Sequence, residues 1–262
     1  MKLFLDISFL KIPTYGLMIV LGVAAANVLA LLMKRRLELD GDSILLLECC
    51  AALGGMIGAK LLYLLVSFHT IDWSRILEPD YLSQVMAGGF VFYGGLIGGL
   101  IALWLGGRIL KIPVRPYVQG LLFLLPLVHG FGRIGCFLAG CCYGVPYDGP
   151  GAVVFPAGSL APSGIPLFPV QLAEAAGLFL LSLLLGVLTW KGRRALVLSL
   201  YLLLYGILRF ALEFFRYDAA RGMLWGLATS QWISLLLIAA GIVLLVRRQM
   251  RADHCNHPSG AA

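Results

Sequence analysis

The chain has 262 residues, 60% of them hydrophobic and 13% charged, with a formal net charge of +7 and a mean hydropathy of +0.93. Soluble domains average about half apolar and about a quarter charged residues, so these values exclude a water-soluble fold. No basic stretch is interleaved with aromatic residues, which excludes nucleic acid as a partner and assigns the positive charge to loops that meet anionic membrane lipids.

Apolar residues collect in seven segments, 14–33, 43–67, 90–107, 118–142, 168–190, 195–215 and 227–246, each near the ~20 residues that cross a hydrocarbon core. The expected fold is an all-α polytopic membrane protein, one seven-helix domain over 1–262. The first segment ends in "MKRR" and lacks a basic stretch directly before a short apolar core, so it is read as a retained helix, not a signal peptide. Basic clusters recur at alternate connections: Lys34, Arg35 and Arg36; Arg108, Lys111 and Arg115; Lys191, Arg193 and Arg194; Arg247, Arg248 and Arg251. The positive-inside rule then predicts a multi-pass protein of the bacterial cytoplasmic (inner) membrane, with an external N-terminus and a cytoplasmic C-terminus.

Two external connections are long, 69–89 and 144–167. The second is dense in Gly and Pro, which excludes a regular helix and predicts a small cap of turns with one short strand at "AVVFP". The tail 249–262, with "HCNHPSGAA", reads as a disordered cytoplasmic end, not a metal clip. There is no internal repeat, nor the inverted pair of broken helices that would favour a secondary transporter.

Ionisable residues inside such segments are costly and usually face an interior. Here they are Glu48, Lys60, Arg133, Glu174, Arg209 and Glu213, with His129 beside them. In "YGILRFALEFFR", Tyr205, Arg209, Glu213 and Arg216 form one helical stripe with two cations to one anion. In "HGFGRIGCFLAGCC" (129–142), His129, Arg133, Cys136 and Gly140 also share a face, and Arg133 has no acidic partner on its own helix. Guanidinium offers a planar fork of donors matched to phosphate oxygens. Arg133 and Arg209 could therefore grip one phosphate between them, and the phosphate most available in a membrane is a phospholipid's.

These residues also carry a resemblance. "GFGRIGCFLAGCCYG" (130–144) resembles the signature of the prolipoprotein diacylglyceryl transferases, G-R-x-G-N-F-x-N-x-E-x-x-G. "TYGLMIVLG" (14–22), "YGGLIGG" (93–99), "VVFPAG" followed by "FPVQLAEA", and "YGILRFALEFFR" are similar to further family motifs. The resemblance implies transfer of a diacylglyceryl group from phosphatidylglycerol to the lipobox cysteine of a preprolipoprotein signal peptide, with glycerol phosphate leaving and no cofactor. It implies that Arg133 and Arg209 hold the phosphate, that Tyr15, Tyr205, Glu213 and Arg216 support them, and that Gly144 closes the signature.

The chain departs from the family pattern at several positions. Tyr93 stands where the third-helix motif has a histidine, often proposed as the base. Cys136 and Ala139 replace the signature asparagines, and Cys141 its glutamate. Phe168 replaces a histidine, Ala173 a tyrosine, and Lys60 an arginine. With a reference pKa of about 10, the phenol of Tyr93 is a poor base near neutrality, so His129 is nominated as the base, with Tyr93 and Arg209 completing the catalytic set. The cysteines predict a less polar pocket and altered headgroup selectivity, not a metal site, because Cys141 and Cys142 diverge if the helix continues through them. The alternatives are a related transferase with another acceptor, a lipase-like relative, a non-catalytic phospholipid-binding membrane protein, and metal or redox chemistry at Cys136, Cys141, Cys142 and His129.

Overall fold

The computed structural model describes residues 4–7, 10–217 and 222–256. A hairpin of β1 (Phe4–Ile7) and β2 (Leu10–Pro13) leads into α1 (Thr14–Leu37) and α2 (Gly41–Val66). There follow α3 (Pro79–Ala87), α4 (Phe92–Ile109), α5 (Val114–Leu121) and α6 (Leu124–Ala139). A cap with β3 (Val153–Val154) and β4 (Pro166–Leu167) precedes α7 (Val170–Trp190) and α8 (Arg194–Glu213). A second hairpin, β5 (Met223–Leu224) and β6 (Leu227–Ala228), opens α9 (Thr229–Asn256). Among the described residues, six helices are long and apolar enough to cross a membrane, and the bent pair α5–α6 makes a seventh. The chain is thus an all-α polytopic membrane protein.

The described chain divides into two compact units, residues 34–118 and the remainder. In the first, α2 packs on α4 through small residues. A Cβ added to Gly94 would lie 2.3 Å from the Gly58 carbonyl oxygen, and one added to Gly98 would lie 2.3 Å from that of Gly54. Small residues let membrane helices approach this closely, gaining contacts where no hydrophobic effect separates helix from lipid. Asp40 caps α2 by accepting from the Ser43 amide at 2.8 Å. Hydrogen bonding from Ser43 holds its carboxyl below the usual carboxylate range.

Lys60, only 9% exposed on α2, has a structural use. Its Nζ donates to the carbonyls of Val85 (2.6 Å), Met86 (3.1 Å) and Gly88 (2.6 Å). It thereby satisfies the C-terminal end of α3, where the helix dipole favours a cation. The rings of Tyr63 and Phe90 flank the ammonium at 4.6 and 5.1 Å, adding cation–π attraction. The connection 69–89 is accordingly not bare loop. It holds a 3-10 turn at Trp73–Arg75 and then α3, which opens on Pro79, where a missing N–H costs nothing.

In the other unit, α6, α7, α8 and α9 pack successively on one another. The most enclosed is α7, which buries Gln171, Glu174, Leu178, Leu181, Ser182 and Leu185 along its length. The segment expected as one helix over 118–142 is instead two helices bent by 54°. Pro126 lacks an N–H, and its ring would clash with the carbonyl of Leu122, so the chain restarts with Pro126 in the first turn of α6. The buried Ser182 hydroxyl of α7 donates to the Phe123 carbonyl at 2.8 Å, tying the bend to α7.

The cap over 144–167 contains the short strand expected at "AVVFP". Val153–Val154 pairs antiparallel with Pro166–Leu167, and Phe155, Ala161 and Leu167 form a small core against Phe137, Tyr143 and Val153. At the other end, α9 runs to Asn256, so residues 249–256 are helical where a disordered tail is expected. Gln249, Met250, Arg251 and Ala252 are good helix formers that extend a helix already nucleated. Residues 257–262 lie outside the described chain, and a clip of His254, Cys255 and His257 falls outside the described side chains.

Gly94→Val inserts a branched side chain against the α2 backbone. It should destabilise the protein by about 1–3 kcal/mol, measured as a lowered melting temperature in detergent, whereas Leu96→Val, at an exposed position of the same helix, should leave it nearly unchanged.

Candidate functional site: a buried arginine–glutamate cluster

The first half of the signature is the C-terminal part of α6. Its glycines clear space on two sides. A Cβ on Gly130 would lie 2.6 Å from the Phe179 ring of α7, and one on Gly135 3.1 Å from the Tyr15 ring of α1. This closeness places Tyr15, near the start of α1, beside Arg133 and the signature cysteines, with which it interacts electrostatically.

Arg133 does have an acidic partner, on the next helix. Its Nη2 lies 2.9 Å from Oε1 of Glu174, a carboxylate 1% exposed on α7. The same oxygen is 4.0 Å from Nε2 of His129, one turn before Arg133. The His129 ring stands edge-on to that of Tyr205 on α8, centroids 5.7 Å apart, and Tyr205 stacks on Tyr201. One turn beyond Tyr205, Arg209 Nη1 lies 2.7 Å from Glu213 Oε2. Arg209 also feels the charges of Glu174, Arg216 and Arg133. Helices α6 and α8 both pack on α7, whose Glu174 pairs with Arg133 and acts electrostatically on Arg209.

Three guanidinium groups, of Arg133, Arg209 and Arg216, are thus set against the carboxylates of Glu174 and Glu213, with cations in excess. The two close pairs are ion pairs by distance, yet among the described residues Glu174 Oε1 and Arg209 Nη1 make no aligned hydrogen bond. The buried Nε of Arg133 and Oε1 of Gln171 also lack hydrogen-bond partners among the described residues. Buried donors in this state, in an electropositive cluster, are suited to anionic oxygens.

The second half of the signature is not helical. Gly140 adopts the left-handed conformation (φ 70°), and the amides of Gly140 and Cys141 close on the carbonyls of Phe137 and Cys136 at 3.1 and 3.0 Å, a glycine-terminated helix end. Cys142 also has positive φ, 56°. The expectation that the Cys141 and Cys142 side chains diverge assumed a continuing helix and is corrected here: the Sγ atoms of Cys136, Cys141 and Cys142 all lie within 4.8 Å of one another. Gln171, 1% exposed, donates through Nε2 to the Cys141 carbonyl at 2.9 Å and ties this turn to α7.

Gly144 has a steric role. A Cβ there would lie 2.3 Å from the Phe168 carbonyl oxygen and 2.9 Å from that of Phe215. Its backbone bridges to Arg216, and Val145 donates to Phe215 at 3.0 Å. The glycine lets the signature loop thread between the start of α7 and the end of α8, bringing Arg216 within electrostatic reach of Cys142.

One unit therefore brings together Tyr15, His129, Arg133, Gly144, Tyr205, Arg209, Glu213 and Arg216. Tyr93 belongs to the other unit, exposed in the first turn of α4, with its ring edge-on to Phe92. Sequence reasoning gave Glu174 and Gln171 no site role. The available signal was "QLAE" itself, an amide and a carboxylate three residues apart on one face of an apolar helix.

The fold is that of a polytopic helical membrane protein, and its buried, net-cationic arginine cluster has the charge and donors suited to an anionic group. The family model for prolipoprotein diacylglyceryl transferase matches residues 2–247. The chain is 36% identical over 248 residues to the phosphatidylglycerol–prolipoprotein diacylglyceryl transferase 2 of Clostridium perfringens (strain 13 / Type A), covering 91% of this chain and 92% of that one. It is 40% identical over 237 residues to the phosphatidylglycerol–prolipoprotein diacylglyceryl transferase of Clostridium tetani (strain Massachusetts / E88), covering 89% and 92%. It is 38% identical over 258 residues to that of Methylococcus capsulatus (strain ATCC 33009 / NCIMB 11132 / Bath), covering 92% and 93%. The chain belongs to the prolipoprotein diacylglyceryl transferase family and is a membrane-embedded transferase.

Removing one partner of a buried ion pair leaves the other charge uncompensated. Glu174→Gln should cost about 3 kcal/mol of stability, and Arg133→Gln combined with Glu174→Gln should cost less than the sum of the single changes. A denaturation series on the three variants checks this; strict additivity would show that the two groups do not interact.

Proposed function

We propose that this chain transfers a diacylglyceryl group from phosphatidylglycerol to the thiol of a prolipoprotein cysteine, releasing glycerol phosphate. The observation that carries the reading is the convergence of Arg133, Arg209 and Glu174 in a chain of this family. In the transfer a sulfur–carbon bond forms and the carbon–oxygen bond to phosphate breaks, so negative charge accumulates on the departing phosphate. Guanidinium groups fixed beforehand in a low-dielectric site stabilise that charge without reorganising. The carboxylates of Glu174 and Glu213 hold Arg133 and Arg209 in place, and Tyr15, Tyr205, Arg216 and Gly144 shape and support the site.

The lipid's tails have a matching surface. An apolar cavity of ≈ 220 Å³ between α7 and α8 is lined by Gly177, Leu180, Leu181, Leu184, Leu204 and Leu208. Gly177 is one turn beyond Glu174, and Leu208 adjoins Arg209. We assign an acyl chain of a lipid whose headgroup sits at the cluster to this leucine surface.

The acceptor must present a thiolate, and His129 serves as the base that takes its proton. His129 Nε2 lies 4.0 Å from Glu174 Oε1, beside Arg133, and the carboxylate can orient the ring. Tyr93, where the family motif carries histidine, is the second residue assigned to proton handling. The acceptor cysteine belongs to the lipobox of a preprolipoprotein signal peptide. The whole chain acts as one domain of the bacterial inner membrane, supported by a family match that runs from residue 2 to 247. The basic last turns of α1 and α4 support a cytoplasmic side for those ends, an external N-terminus and a cytoplasmic C-terminus.

The test uses purified protein, labelled phosphatidylglycerol and a lipobox peptide, with a Cys→Ser peptide as control. Label should move to the cysteine peptide alone. Arg133→Lys and Arg209→Lys, which keep the charge but lose the planar fork, should lower the initial rate ~10²–10³-fold. Transfer of label to another acceptor, with the peptide untouched, would replace the acceptor assignment. Lipid binding without turnover would contradict the enzymatic reading.

On the same assay, His129→Ala should reduce the rate more than Tyr93→Phe. Equal activity of His129→Ala and the parent would remove His129 from the mechanism.

A further inference from the structure

The transfer reaction leaves the three signature thiols without a role. We propose that Cys136, Cys141 and Cys142 form a three-coordinate thiolate site for a soft monovalent cation of the Cu(I) type.

Geometry carries the proposal. The three Sγ atoms lie within 4.8 Å of one another. Metal–thiolate bonds of about 2.3 Å, arranged trigonally around one ion, require sulfurs roughly 4.0 Å apart, so small side-chain adjustments complete the site. The arrangement is built by the backbone. Gly140 stops α6 directly after the turn that carries Cys136, and Cys142 is held at φ 56°, in a region sparsely used by residues with a Cβ. The Gln171 amide fixes the Cys141 carbonyl at 2.9 Å, and Gly144 is wedged between two backbones two residues further on. All three cysteines are free, and Cys136 is buried.

The donor set selects the ion. Among the described residues, no carboxylate or imidazole joins the three sulfurs within that radius, so the set is all-thiolate, which favours soft metals. Structural zinc almost always takes four ligands, whereas three sulfurs suit a monovalent closed-shell ion. Charge balance agrees. Cysteine binds metal as thiolate, so the loaded cluster is anionic, and Arg133 and Arg216 are near enough to Cys142 to offset it.

The experiment measures metal, not transfer, so its outcome is independent of the proposed activity. The full chain, purified anaerobically in detergent, is titrated with Cu(I) against a chromogenic copper chelator, with Zn(II) in a parallel arm. We expect one Cu(I) per chain, and X-ray absorption of the unmodified protein showing three sulfur ligands and no nitrogen or oxygen ligand. Cys136→Ser, Cys141→Ser and Cys142→Ser should each weaken binding by at least ~10-fold, while the Cys49→Ser/Cys50→Ser double variant should bind like the parent. Failure to bind Cu(I), binding indifferent to Cys136→Ser, or stoichiometric Zn(II) that Cu(I) does not displace would each overturn the proposal. So would an intramolecular disulfide among the three cysteines in protein isolated under those anaerobic conditions. The X-ray absorption arm decides the matter even if a serine variant fails to fold.

Discussion

The contact on which the site depends is the ion pair between Arg133 of α6 and Glu174 of α7, 2.9 Å apart with the carboxylate 1% exposed. A single charge at the centre of a membrane helix costs about 3 kcal/mol on insertion scales, so neither residue belongs there alone. Together they fix the register of two helices. That register places His129 near the same carboxylate and beside the Tyr205 ring of α8, which also packs on α7. The glycines of α6 serve this geometry. Gly130 admits the Phe179 ring, and Gly135 admits Tyr15, so the helix carrying Arg133 sits close to both of its neighbours.

A buried ion pair contributes little net stability compared with a well-packed apolar contact. Its value here is organisational. It holds one guanidinium in a fixed position, while a second arginine, paired on its own helix with Glu213, is drawn to the same spot. The surplus of cations gives the cluster an affinity for anions that a neutral network would lack. The signature loop then closes the arrangement. It leaves α6 through a left-handed glycine, passes between α7 and α8 at Gly144, and returns through a cap with its own small core of Phe155, Ala161 and Leu167. In the proposed reading the headgroup meets this cluster and an acyl chain lies along the leucine-lined cavity between α7 and α8.

Much of this was legible in the sequence because membranes make strong demands on composition. Apolar runs of the right length mark the spans, and charges inside them mark the site; Arg133, Arg209, Glu213 and His129 stand out for that reason alone. The periodicity of "YGILRFALEFFR" reports contacts within one helix, which is why the pair Arg209–Glu213 could be read directly. Arg133–Glu174 could not, because it joins residues 41 positions apart through a packing register that no local pattern encodes. The bend before Pro126 and the helix stop at Gly140 were signalled by residues of known preference, but a run of apolar residues on either side outweighed them in a reading based on span length. A helix continuing past Gly140 would separate Cys141 from Cys142, whereas the turn that begins there gathers three thiols.

The central claim is that the arginine–glutamate cluster receives the phosphate of phosphatidylglycerol. It is tested most directly by equilibrium binding of phosphatidylglycerol to the protein in bilayer discs of otherwise neutral lipid, parent against Arg209→Gln, with correct folding checked by size exclusion. The account predicts saturable binding of about one phosphatidylglycerol per parent chain, no comparable binding of phosphatidylcholine, and a loss of at least ~10-fold in the variant, the scale of one charge-assisted contact. Equal binding of the anionic lipid by parent and folded variant would contradict it.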